Sequence, residues 1–475
     1  MTTTAKIVLL SSLYFSQGLP FGFFTQALPV WMRERGLSLT IIGASSVLAL
    51  PWALKLLWAP LVDRHGGSRL GRRRGWILPL QGMSAVAVII LGLVGRGADT
   101  VAASTANAGG AGAGADVGMT LLWAMAVAMF VTNLFAATQD IATDGLAVDI
   151  LSPTERGLGN GVQVAAYRVG MVVGGGALLA GFSVLGWTST LSIMAALLLL
   201  MSVPTLFFDE HAVTKATAKA KATAKSSSSS SSTETPPPTM THVSLLSSFT
   251  FFTRGGGHMA IWAGAIALYK LGDALGSPMA RTLLVDRGFD TVDVAWLLGT
   301  LGSVAGMIGA LLGGVVARRH RLYALLSCGL IHAALMAAYA APALMSMTSA
   351  DGTVNDQARL VVAVLVVMEH VTGGMATVSL FTAMMDAATS ATGASDYTAQ
   401  ASVVVIATGV GSGLSGVSAD AFGYAAHFII AGVVCVIGTL VMWPLYRLGI
   451  APVSGVVLDT PESRRGSAPD PAGPD

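Results

Sequence analysis

With 475 residues, 53% of them hydrophobic and only 11% charged, the chain cannot present an ordinary water-facing surface, because soluble domains carry about 25% charged residues. Its formal charge of +2 supplies no field for nucleic acid. A mean hydropathy of +0.69, with apolar runs of the ~20 residues that cross a hydrocarbon core, points to a polytopic membrane protein.

The first apolar run begins at Ile7, after Lys6, and continues past Leu28. It is too long for a signal-peptide core and is read as helix 1, over 7–30. Helix 2 is predicted over 40–62 and helix 3 over 75–94. Between them lies LWAPLVDRHGGSRLGRRRGW, 57–76, with Arg64, Arg69, Arg72, Arg73 and Arg74. Such a loop resists translocation and stays in the cytoplasm, which orients every later segment. A Gly/Ala-rich stretch, 97–118, is read as a flexible outer loop leading to helix 4 over 119–143. Helices 5 and 6 follow over 161–185 and 189–208, and six more near 259–281, 294–317, 322–343, 358–384, 398–419 and 423–446.

The fold class is therefore an all-α membrane protein with twelve transmembrane helices in two pseudo-repeated halves. The expected organisation is a six-helix half at 1–208, a disordered cytoplasmic linker at 209–257, a second half at 258–447 and a disordered cytoplasmic tail at 448–475. The linker holds a Lys/Ala/Thr tract, poly-Ser and Pro236-Pro237-Pro238, none of which can bury a core. With both termini inside, lysines and arginines on the inner side outnumber those outside about three to one, as the positive-inside rule requires. Arg35-Gly36-Leu37 after helix 1 is echoed by Arg287-Gly288-Phe289 after helix 7, and the basic loop after helix 2 by Arg318-Arg319-His320-Arg321 after helix 8. These echoes suggest a parallel repeat with a site near the midplane between its halves.

Charges inside a span cost several kcal/mol unless paired or wet, so each is a functional candidate. Tyr14 and Gln17 (helix 1), Asn133 (helix 4), Lys270 and Asp273 (helix 7), and Glu369 and His370 (helix 10) fall near mid-depth. Only helices beside a water-filled path should carry such residues there. Lys270 and Asp273 share a helix face; the pair binds a charged solute, or trades a proton, or is a static ion pair. Glu369 reads as a lone proton carrier, its carboxyl raised by desolvation. His370 points elsewhere and reads as a structural hydrogen-bonder. Nearer the arginine-rich loop, Lys55, Asp140, Asp144 and Arg168, with Asp63 and Arg64 just below, read as an inner gate or a permanent network. Arg168 could instead reach an anionic solute as a fork.

Four stretches carry a family resemblance: 55–64 (KLLWAPLVDR), 71–78 (GRRRGWIL), 137–148 (ATQDIATDGLAV) and 268–274 (LYKLGDA). They resemble the AmpG-like permeases and acetyl-coenzyme A transporters of the major facilitator superfamily. The resemblance covers nearly all the chain except the Gly/Ala stretch, the linker and the tail. It implies solute import by alternating access, driven by protons, through a cavity lined by helices 1, 4, 7 and 10. The solute it implies is an anhydromuropeptide or, in the sister branch, acetyl-CoA, carried by a monomer in a bacterial inner membrane or an organelle's. The long linker and the Gly/Ala insertion depart from the AmpG pattern. A membrane sensor of such fragments would need an output domain that neither linker nor tail supplies. No enzyme constellation, cofactor fingerprint or metal spacing is visible along the chain.

Overall fold

The computed structural model describes residues 1–34, 41, 45–65, 70–108, 113–210, 250–318, 320–347, 354–389 and 392–450. Arg35-Gly36-Leu37, Arg69, Arg319, most of the linker and the tail beyond Ile450 lie outside the described residues, so the expectations placed on them do too.

In chain order the helices are α1 (Thr3–Gly22), α2 (Leu28–Glu34), α3 (Leu50–Leu54), α4 (Ala59–Arg64), α5 (Arg74–Ala108) and α6 (Ala113–Ile150). There follow α7 (Arg156–Val172), α8 (Leu178–Leu185), α9 (Trp187–Met201), α10 (Val203–Leu206), α11 (Thr250–Thr253) and α12 (His258–Asp286). The series ends with α13 (Thr291–Val294), α14 (Gly302–Ala317), α15 (Arg321–Ala338), α16 (Ala340–Leu344), α17 (Asp356–Ala387) and α18 (Gly393–Arg447). No strand occurs among the described residues.

Local chemistry sets several boundaries. The Thr2 hydroxyl accepts from the Ala5 N–H and Asn355 Oδ1 from the Ala358 N–H, capping α1 and α17. Gly423, at φ 76°, breaks α18 into the two passes expected there. The predicted single helix over 40–62 is instead irregular where described: a 3₁₀ stretch at Ser45–Ala49, α3, another at Lys55–Leu57, then α4. Pro51 and Pro60 each remove a backbone donor from that segment. The Gly/Ala stretch expected to be a flexible loop is helical through Ala108 and again from Ala113. Alanine's high helix propensity outweighs the glycines there.

Nine helices among the described residues are long and apolar enough to span a membrane. The break at Gly423, the 29-residue α12 and the irregular 45–64 segment leave room for the expected twelve passes. The loops bearing Arg64, Arg72 to Arg74, Arg156 and Arg321 gather at one end of the bundle, here termed the basic face.

The buried cores are distributed unevenly between the two ends. At the basic face one cluster draws on both halves of the chain, including Leu10, Ile141, Leu146, Ile266, Met384 and Tyr397. Toward the opposite face the core divides. Leu19, Phe23, Trp31, Trp187 and Leu191 pack within the first half, and Leu283, Leu284, Tyr339, Val366 and Phe428 within the second. The halves are thus joined at the basic face and part toward the other.

Small residues make the joint close. A methyl group added at Gly161 of α7 would lie 2.8 Å from the Ala310 carbonyl oxygen of α14, so the two backbones touch. Small residues permit such approach within membranes, where packing rather than water expulsion drives association.

Candidate functional site

A cavity of about 520 Å³ lies where the halves part, within the range of small-molecule sites. Its charged lining comes from Lys270, Asp273 and Arg281 of α12, Arg168 of α7, and Glu369 of α17, with His370 alongside. Lys270 and Asp273, one helical turn apart, form an ion pair at 2.5 Å. Lys270 Nζ also donates to Thr377 Oγ1 (3.4 Å), and the Ser277 hydroxyl to Asp273 Oδ1 (3.1 Å). From α15, His332 reaches the same carboxylate, with Nε2 at 3.3 Å from Asp273 Oδ1. His332 Nδ1 stands 3.9 Å from Glu369 Oε1, and His370 Nδ1 lies 2.6 Å from Glu369 Oε2.

Glycines seat these side chains. A Cβ on Gly306 would overlap the Arg168 guanidinium, one on Gly302 would come within 2.6 Å of His370 Nε2, and one on Gly373 within 3.1 Å of His332 Cε1. The abundant glycines of α14 therefore make room for cavity charges as well as for helix contact.

This arrangement corrects three expectations. Arg168 lies in the cavity near Asp273 and Glu369 and not with Lys55 and Asp140, so its alternative role as a fork for an anion is the one its position favours. Glu369 is not isolated but flanked by two imidazoles. His370 does bond its own helix, through Nδ1 and the Val366 carbonyl at 2.9 Å, yet it also touches Glu369 and lines the cavity. Sequence reasoning missed His332, a single imidazole in an otherwise apolar run.

The midplane residues of the first half belong elsewhere. The Tyr14 hydroxyl donates to Asp144 Oδ1 (2.9 Å), to which the Gln163 amide also donates (3.4 Å). Lys55 pairs with Asp140, so Tyr14 joins the expected gate network rather than the cavity. Trp52 Nε1 donates to Asn133 Oδ1 at 3.1 Å. The Asn133 amide nitrogen and both polar atoms of the Gln17 amide are buried with no hydrogen-bond partner among the described residues. Neither residue is part of the cavity lining.

The basic face is closed by charge. Asp63 accepts from Arg72 Nη2 (3.0 Å), pairs with the fully buried Arg73 (2.9 Å), and accepts from the Ser395 N–H (2.8 Å) and hydroxyl (2.6 Å) of the other half. Arg73 Nε also donates to Asp149 at 3.0 Å. Glu210 holds the loop by accepting the Arg73 and Arg74 N–H groups. Arg64 ends α4 on the exposed rim. A second cross-half set joins Arg156 and Arg321 to opposite oxygens of the buried Asp386, both at 2.8 Å, with Arg321 donating also to the Pro153 carbonyl. Arg254 pairs with Asp396 at 2.9 Å. Of the linker, therefore, both described ends are packed into the bundle, at Glu210 and at Phe251 to Arg254.

Beyond this seam, at Glu155, partial burial pushes the carboxyl up, but hydrogen bonds from Lys6, Thr3 and Ser152 outweigh it and lower it to about 2.

Asp273, His332 and Glu369 offer ligand atoms within 4.8 Å of one another, the single such cluster among the described residues. Three helices build it, so spacing along the chain could not reveal it. Lys270 and Arg168 already balance the two carboxylates, and a divalent ion would add uncompensated charge in a low dielectric. The set is charge-balanced without one.

A family model described as acetyl-coenzyme A transporter 1 matches residues 6–182. The anhydromuropeptide permease of Escherichia coli (strain K12) is 31% identical over 383 residues, covering 80% of this chain and 67% of that protein. Among solved structures, the major facilitator superfamily transporter FucP in its outward conformation superposes with a TM-score of 0.63 at 13% identity, covering 91% of this chain and 97% of that one. A bacterial homologue of the iron transporter ferroportin, in an outward-facing state, gives a TM-score of 0.62 at 14% identity, covering 94% and 100%. The all-helical bundle and the sequence identity agree: the chain has the fold of the major facilitator superfamily transporters and belongs to the family of the AmpG-like anhydromuropeptide permeases.

Proposed function

We propose that this transporter imports an anhydromuropeptide by alternating access coupled to protons. The observation that carries the reading is the mixed sign of the cavity: Arg168, Lys270 and Arg281 interleave with Asp273 and Glu369. A sugar-peptide bears both carboxylates and an ammonium, so each sign in the wall has a counterpart. The 31% identity to a permease for this class of fragment supports the same reading.

Orientation follows from the arginine-rich loops. With the basic face in the cytoplasm, together with both termini, the cavity lies toward the outside and is ready to receive solute. In a bacterium the membrane is then the inner one. Import requires the ion pairs of the basic face to part while the divided cores close. A monomer suffices, because both walls come from one chain.

The alternative solute is acetyl-CoA, favoured by the family model that matches residues 6–182. Its several phosphates call for a wall more strongly positive than this one.

Uptake into proteoliposomes under an imposed proton gradient, with labelled N-acetylglucosaminyl-anhydromuropeptide and labelled acetyl-CoA side by side, tests the reading. Gradient-stimulated uptake of the sugar-peptide alone supports it. Uptake of acetyl-CoA alone moves the chain to the sister branch, and uptake without gradient dependence removes the coupling.

A further inference from the structure

His332 is 4% exposed, within the membrane-spanning bundle, and faces carboxylates on two helices other than its own. Its two ring nitrogens look in different directions: Nε2 toward Asp273 at 3.3 Å, Nδ1 toward Glu369 at 3.9 Å. Asp273 is the partner of Lys270, and Glu369 continues to His370 at the cavity wall. A row of neighbouring exchangeable groups, from His370 through Glu369 and His332 to Asp273, therefore leads to the ion pair best placed to hold a solute carboxylate. A neutral imidazole has one donor and one acceptor nitrogen, so it can take a proton on one and release a proton from the other.

We propose that His332 is the proton carrier of this transporter, passing protons between Glu369 and Asp273 and so switching Lys270 between a partner in its own helix and an anionic group of the solute. The inference rests on the proton-coupled import proposed above. A proton from the cavity first neutralises Glu369. Glu369 passes it to His332 Nδ1 while the ring gives its Nε2 proton to Asp273 Oδ1. Glu369 is again a carboxylate, the ring is neutral with its proton moved from Nε2 to Nδ1, and Asp273 is a neutral acid. Lys270 then loses the carboxylate it pairs with on α12, and its ammonium turns to the solute. After the halves rock, Asp273 loses its proton to the other side, the Lys270 pair reforms and the solute is released; the ring returns to its first tautomer when Nδ1 gives its proton to water and Nε2 takes one back from water.

The surroundings fit one mobile proton. The groups that act on this set are Tyr269, Lys270 and Asp273 of α12, Tyr339 after α15, Glu369 and His370 of α17, Arg168 of α7 and Cys435 of α18. The two fixed cations match the two carboxylates, so a proton is the only net charge the cluster gains. Neither step is a formed hydrogen bond: Nε2 stands 3.3 Å from Asp273 without a hydrogen-bond partner among the described residues and Nδ1 stands 3.9 Å from Glu369, and small side-chain rotations or a bridging water close both. The Thr372 hydroxyl, 3.5 Å from Nδ1, flanks the same step. Gly373 leaves the ring space to move, since a Cβ there would lie 3.1 Å from Cε1.

The test uses the full chain in proteoliposomes with labelled N-acetylglucosaminyl-anhydromuropeptide as probe. His332→Gln is expected to keep exchange of labelled for unlabelled probe at equal pH, to lose accumulation driven by a proton gradient, and to lose the pH dependence of uptake. Accumulation and a pH profile unchanged from wild type would overturn the proposal. Loss of exchange and accumulation together in a monodisperse variant would overturn it as well, because the ring would then serve binding rather than coupling. A second readout needs no solute: ¹⁵N-histidine spectra of the protein, with His332 assigned by its loss in His332→Gln or His332→Asn. The His332 signal should move in both Asp273→Asn and Glu369→Gln; a signal indifferent to both sinks the relay. If wild type fails to move the probe, the solute reading fails alone and the spectra still decide on His332.

Discussion

The Asp63 carboxylate of the first half accepts both the backbone N–H and the hydroxyl of Ser395 in the second, at 2.8 and 2.6 Å. The same carboxylate is held by Arg72 and Arg73, so its orientation is fixed before it crosses the seam. Hydrogen bonds to a charged group contribute about 1.5–3 kcal/mol each. Asp63→Ala removes two such bonds and should therefore shift the equilibrium toward opening at the basic face by a factor on the order of 100 to 10,000. Spin labels placed across the seam, read as a distance distribution, would report it. A distribution identical to wild type would remove Asp63 from the closure.

Asp386 is a single buried carboxylate with an arginine from each half on its two oxygens. Asp386→Asn keeps the shape and removes the charge, leaving Arg321, 3% exposed, without its counter-ion. Breaking a buried pair by removing one partner costs about 3–5 kcal/mol. Thermal unfolding in detergent should show a drop in Tm of several degrees, larger than for Arg254→Ala, whose guanidinium is the more exposed of the seam arginines cited here.

Gly306→Ala would place a methyl group where the Arg168 guanidinium lies. Overpacking of this kind costs about 1–3 kcal/mol, and here it falls on a cavity charge. Binding of the anionic solute should weaken while the fold persists. Because both changes act on one guanidinium, Gly306→Ala should add little to Arg168→Ala, a coupling that a double-mutant cycle reads directly. Additive effects would mean that the glycine serves helix packing alone.

Lys270→Ala should abolish uptake and leave the protein monodisperse, since the ammonium lies at the cavity wall and α12 packs through other residues. Normal uptake by that variant would take Lys270 out of the solute path.

Glu155 ties the start of α1 to the loop before α7 through Lys6, at 2.6 Å, and Thr3, at 2.8 Å. Its carboxyl, despite partial burial, is lowered to about 2 by these hydrogen bonds and those of Ser152. A depressed carboxyl stabilises the fold above its unfolded value of about 4.3 and loses that contribution as the pH falls toward the folded value. Glu155→Gln should thus lower Tm at pH 6 and narrow its difference from wild type as the pH approaches 2. A constant difference at both pH values would show that the charge is not what matters there.

Much of the architecture was legible because membrane-length apolar runs and arginine-rich loops follow from hydrocarbon thickness and translocation. Lys270 with Asp273, Glu369, and Lys55 with Asp140 stood out for a similar reason: charge at mid-span has few uses. Depth along a helix, however, says nothing about rotation around it. Depth alone therefore groups Arg168 with Lys55 although it faces α14, and sets Tyr14 beside the cavity although it bonds Asp144. His332 was unreadable for a different reason, as one imidazole among apolar residues gains meaning only from the two carboxylates that other helices bring to it. The Gly/Ala stretch misled because its glycines were weighed above the alanines that carry it as helix.

Among the described residues, three π-helical segments, Phe23–Ala27, Val173–Ala177 and Ala295–Leu301, lie in the halves of their rods farther from the basic face. A π turn stores a surplus residue inside a helix, and such turns recur at functional sites. A rod that absorbs or expels that residue changes its length and swivels everything beyond it, with no need to unwind. One end of this bundle is thus clasped by discrete charge pairs, which either hold or part. The other end has slack wound into its backbone, so the motion that shuts the cavity can be gradual where the motion that unlatches the seam is abrupt.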